Sequence, residues 1–111
     1  MTFLARLLHR FRWRSHLPQL ADEIVDQIFE EVWLRVAGRV MQMSAPESRG
    51  YTRVLAAQTL RYQSDLCLSW LQLPAHWQPQ LVALATERLE VRVVQRALST
   101  RDMVPIHRRA A

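Results

Sequence analysis

Residues 18–43 read PQLADEIVDQIFEEVWLRVAGRVMQM, and their spacing decides the fold. Leu20, Ile24, Val25, Ile28, Phe29, Val32, Val36, Val40 and Met43 keep to one face of a helix of about seven turns. Pro18 suits a first helical position, where its missing N–H has no partner to lose. The acids fill the N-terminal half of this stretch and Arg35 and Arg39 the C-terminal half, the polarity that the helix dipole favours. A helix with one apolar face needs that face covered, so the flanking sequence has to supply its partners.

On the C-terminal side, Ser44-Ala45-Pro46-Glu47 has the form of a capping box, in which the Ser44 hydroxyl and the Glu47 carboxylate satisfy each other's backbone donors. It launches a further helix, whose expected apolar face is Tyr51, Leu55, Tyr62, Leu66, Trp70 and Leu73. The clearest break in the chain is Leu73-Pro74-Ala75-His76-Trp77-Gln78-Pro79. A last helical segment follows from about Pro79. It has Leu81, Val82, Ala85 and Leu89 on one face and Val91, Val94, Ala97 and Leu98 nearly opposite.

Within that last segment, residues 89–93 (LEVRV) alternate strictly and also fit a strand. Helix is the expected form, because good helix formers flank the stretch and nothing else offers a partner strand. A helix there either bends near Glu90 or is covered on both sides. The tail from Ser99, with Pro105 and Arg108-Arg109, is expected to be an arm. On the N-terminal side, Phe3, Leu4, Leu7, Leu8 and Phe11 mark a short amphipathic helix over residues 3–14. The fold expected is all-α: three to four helices in an antiparallel bundle, forming one domain over 1–111.

Charge is distributed in blocks. All fifteen basic residues are arginine, and neither lysine nor asparagine occurs. That pattern reads more economically as a G+C-rich genome than as selection for guanidinium chemistry. Arg6, Arg10, Arg12 and Arg14 precede any acid, and Asp22, Glu23, Asp26, Glu30 and Glu31 follow without a base among them. The basic N-terminus resembles an organellar presequence in composition, but it is expected to stay with the protein. Its apolar runs are too short for an export signal. No stretch has the length of a membrane span.

Signatures of catalysis are missing: there is no glycine-rich phosphate loop, GxSxG, HExxH or CxxC. His9, His16, His76 and His107 form no metal-ligand spacing with one another, so no cofactor or metal is expected. Cys67, the single cysteine, is expected to be a small core residue in a reducing, cytoplasmic compartment.

Arg88, Arg92 and Arg96 lie at i, i+4, i+8, and Arg49, Arg53 and Arg61 form a looser second stripe. Such stripes suit either nucleic-acid phosphates or carboxylates. The favoured reading sets them against Asp22, Asp26 and Glu30, themselves at i, i+4, i+8, because a net charge of +5 is modest for a nucleic-acid binder. Arg39 falls within an apolar arc and is either snorkelling or aimed at an anion.

Four tryptophans are many for this length. Trp33 and Trp70 sit on or beside apolar faces and are expected in the core, whereas Trp13 and Trp77, together with Val91, Val94 and Leu98, are the interface candidates. The function expected is a non-catalytic helical protein–protein interaction module that self-associates or joins a larger assembly. The rivals are a nucleic-acid-binding protein using Arg49, Arg53, Arg88, Arg92 and Arg96, and a peripheral membrane protein anchored by residues 3–14.

Overall fold

A computed structural model describes the backbone of residues 17–110 and the side chains of residues 17–102. The N-terminal helix expected at 3–14, with Trp13, His9 and His16, lies outside the described residues, as does the side chain of His107. Three α-helices are present among the described residues: α1 (Leu17–Val40), α2 (Ala45–Trp70) and α3 (Gln78–Ala110), with a single 3-10 turn at Ala75–Trp77 ahead of α3. Short connections make consecutive helices antiparallel, so α1 and α3 run parallel in an up-down-up, all-α bundle. No strand is found among the described residues; 89–93 is helical, flanked by helix formers and without a strand to pair with.

Each connection is closed by named bonds. α1 stops at Val40, short of Met43, and a tight turn follows in which Gln42 N donates to the Arg39 carbonyl and Met43 N to the Val40 carbonyl. Arg101 reaches across from α3 and donates from Nη2 to the carbonyls of Val40, Met41 and Met43 at 2.9, 3.1 and 2.6 Å. One guanidinium thus satisfies the end of α1, where backbone acceptors are left over and the dipole favours a cation.

The capping box that starts α2 has both of its bonds, Ser44 N donating to Glu47 Oε1 at 2.9 Å and Glu47 N to Ser44 Oγ at 3.4 Å. The Ser44 backbone N–H, followed by the Ser44 side chain, holds the Glu47 carboxyl below its ordinary pKa. α2 ends without glycine. Gln72 adopts φ 57°, the left-handed region, so that Gln72 N bonds the Ser69 carbonyl and Leu73 N the Leu68 carbonyl, a Schellman closure.

The core centres on α1, which contributes Leu20, Ile24, Val25, Ile28, Phe29, Val32, Val36 and Val40. α3 adds the row Leu81, Ala85, Leu89, Val93 and Ala97, each four residues after the last. One expectation about α3 is corrected by this row. Ala97, expected opposite Leu81 and Leu89, is in the core with them, and Val93 joins it, because the contact row winds slowly round the helix when it advances by fours.

α2 departs in part from its expected face: Tyr51, Leu55 and Leu73 pack partly buried against the core, but the row most deeply buried is another. Its buried residues are Ser48, Thr52, Ala56, Leu60, Ser64, Cys67 and Leu68, while Tyr62 and Trp70 are mostly in solvent. Small side chains at Ser48, Thr52 and Ala56 let α2 approach its neighbours closely, and that contact outweighs the larger apolar residues on its flank. Thr52 Oγ1 and Ser64 Oγ are buried there without a hydrogen-bond partner among the described residues.

The arm expected from Ser99 is instead a continuation of α3, whose backbone stays helical to Ala110. No glycine or proline interrupts Ser99–Val104, and the Thr100 hydroxyl donates to the Arg96 carbonyl within the helix.

Candidate functional site

The two acid and base rows meet face to face. Arg88 pairs with Asp22, Arg92 with Asp26 and Arg96 with Glu30, every rung joining residues 66 apart in the chain (88 − 22, 92 − 26 and 96 − 30). A constant offset requires parallel helices, because only then does a step of four on one advance the partner by four in the same direction. Beneath the rungs lies an aromatic shelf: Phe29 and Trp33 stack with centroids 6.4 Å apart and planes 16° from parallel. The Arg92 guanidinium carbon sits 4.5 Å from the Phe29 ring centre, and that of Arg96 lies 5.0 Å from Phe29 and 5.5 Å from Trp33. These arginines are therefore packed as well as paired.

The second stripe behaves differently. Glu90, only 2% exposed, accepts from Arg49 Nε at 3.1 Å, from Arg53 Nε at 2.7 Å and from Arg53 Nη2 at 3.3 Å. Hydrogen bonding to Glu90, then its charge, raises the pKa of Arg53. Glu90 was not singled out as a site residue by its sequence. Its one signal is its place in the LEVRV alternation, which says nothing of the arginines that reach it from α2.

Beside Glu90, α2 and α3 enclose an open groove of about 500 Å³, lined by Arg49, Arg53, Ala57 and Arg61 from α2 and by Val82, Ala83, Thr86, Glu87 and Glu90 from α3. Arg39 does not join it; it is exposed in the last turn of α1.

The outward face of α3 carries Val91 and Leu98, seven residues apart with Val94 between them, and Leu84, a further seven residues back, packs at its edge against the core. Val91 is 39% exposed and Leu98 50%, while Leu84 and Val94 are half-buried. Of the tryptophans, Trp33 is half-buried on the Phe29 shelf and Trp77 half-buried against the core. Trp70, expected in the core, is 51% exposed, because the face of α2 that packs inward is the small-residue one.

Cys67 is fully buried, and that burial pushes its thiol up to about 11, so it stays protonated at neutral pH and is a poor nucleophile. His76 is exposed, and among the described residues no group of three or more His, Cys, Asp or Glu side chains is placed to hold a metal ion. No described helix is long and apolar enough to cross a membrane. Comparison with known protein families, curated proteins and solved structures finds no match to this chain.

Proposed function

We propose that this protein is a non-catalytic helical interaction module that self-associates through the outward face of α3. The observation that carries the reading is the exposed pair Val91 and Leu98, seven residues apart with Val94 between them, and Leu84 a further seven residues back at the edge where the face meets the core. An a/d-like seam of this kind is what one helix offers another across a coiled-coil contact. Burying it against a second copy removes apolar area from water at roughly 25 cal/mol per Å².

The charge pattern supports protein over nucleic acid as the partner. Arg88, Arg92 and Arg96 are each paired with a carboxylate, so the more regular of the two stripes that phosphates would track is already engaged. A cytoplasmic setting belongs to the same proposal and rests on the single buried thiol. Sedimentation equilibrium at low and high salt tests it. The wild type is expected to run above its 13.1 kDa chain mass at both, since apolar contacts survive screening. Val91→Asp and Leu98→Asp are expected to yield monomers with unchanged helicity. A wild type that is monomeric across the micromolar range overturns the reading.

A further inference from the structure

We propose that the groove between α2 and α3 is a docking site for an acidic helical segment of a partner protein, a surface separate from the self-association face of α3. The groove is built from the charge outward. Glu90, buried beneath it, holds Arg49 and Arg53 through three N–H donors. Both Nη groups of Arg49 and the Nη1 group of Arg53 make no other bond among the described residues, and the two side chains are 46% and 63% exposed. The arginines are thereby fixed in place by one carboxylate while keeping donors for another, the preorganisation that lowers the cost of binding an anion.

Further along α2, Arg61 lines the same groove and has no partner among the described residues. Arg53 and Arg61 are eight residues apart on one helix, about 12 Å. Two carboxylates seven or eight residues apart on a partner helix span that distance. Between the cationic ends, Ala57, Val82 and Ala83 give a shallow apolar floor. Side chains this small allow a helix backbone to approach closely, and an alanine-rich stretch between the two acids fits there.

The same residues disfavour a polynucleotide. Three guanidiniums over Glu87 and Glu90 leave the groove a net charge of only +1 (3 − 2), and none of its lining residues is aromatic, so bases have no ring to stack on. An open trough along two helices also suits a chain segment better than a small molecule, which needs a more enclosing pocket.

Fluorescence anisotropy tests the assignment on the full chain. The probe is a fluorescein-labelled, capped alanine-based peptide of about fifteen residues, bearing two glutamates eight residues apart. Its control carries glutamine at both positions, and an oligothymidylate of similar length is the nucleic-acid arm. The acidic peptide is expected to bind saturably in low salt and the glutamine peptide at least ten-fold more weakly. Arg61→Glu is expected to weaken the acidic peptide at least ten-fold without loss of helicity, since Arg61 supports nothing else among the described residues.

Val91→Asp, on the other face, is expected to leave peptide binding unchanged whether or not it dissociates the protein, which separates this proposal from self-association. Equal binding of the two peptides overturns the assignment, as does no saturation by millimolar peptide. Loss of binding in Val91→Asp overturns it too. Tighter binding of the oligothymidylate, abolished by Arg61→Glu, places nucleic acid in the groove instead.

Discussion

Along α1 and α3, three arginines meet three carboxylates in the open, one pair per rung, whereas between α2 and α3 two arginines converge on one carboxylate that is almost wholly out of water. The chemistry is the same and its energetic meaning is not. In the ladder, both partners of each rung keep a third or more of their surface in solvent, so water competes for the ions and each pair gains little. At Glu90 the carboxylate has given up its hydration, and the two arginines are what replaces it. The ladder sets a register cheaply, and the Glu90 clamp makes the approach of α2 to α3 conditional on two particular side chains.

The seams differ in packing as well, and the largest expected effect probes that. Ile28→Ala, which empties a buried position of α1, is expected to cost about 2–5 kcal/mol. Thr52→Val, which removes a buried hydroxyl without a partner from α2, is expected to be neutral or to stabilise by up to about 1 kcal/mol. Urea denaturation measures both. A large loss at Thr52→Val would show that the small-residue seam depends on that hydroxyl.

The contrast between exposed and buried charge is tested next. Replacing Arg49 and Arg53 together by alanine strands Glu90, and is expected to lower the melting temperature by more than replacing Arg88 and Arg92 together. Glu90→Met, which removes the buried charge and leaves its arginines half in water, is expected to be far milder than the Arg49/Arg53 double replacement. The comparison breaks if the two arginine pairs prove equivalent.

The smallest effect belongs to a single rung. A double-mutant cycle on Arg92 and Asp26 is expected to return a coupling of about 0.2–1 kcal/mol that fades as salt is raised. A coupling that persists in molar salt would show that the rung is held by its hydrogen bond rather than by screened charge.

Several of these features could be read before any coordinates. The rows Asp22, Asp26, Glu30 and Arg88, Arg92, Arg96 share a four-residue period, so both are visible as stripes, and the Ser44–Glu47 box is a local signal because its bonds span three residues. Gln72 was not legible as a helix stop, since left-handed closures are usually marked by glycine and here a side chain takes the conformation. The apolar flank of α2 misled for a related reason. Hydropathy ranks Tyr62 and Trp70 above Ser48 and Thr52, but close approach of two backbones rewards small volume over apolarity.

By itself the sequence determined what depends on neighbours along the chain: three long helices with short breaks, the cap that starts α2, and the existence of complementary charged rows. Only the tertiary structure decided which row met which, that Glu90 would be the buried acid, and that Ala97 would enter the core while Val91 and Leu98 stayed outside it. Those outcomes turn on burial, which is a property of where three helices come to rest against one another. A side chain's period along its own helix assigns it to a face, but the face is inside or outside only once its neighbours are in place.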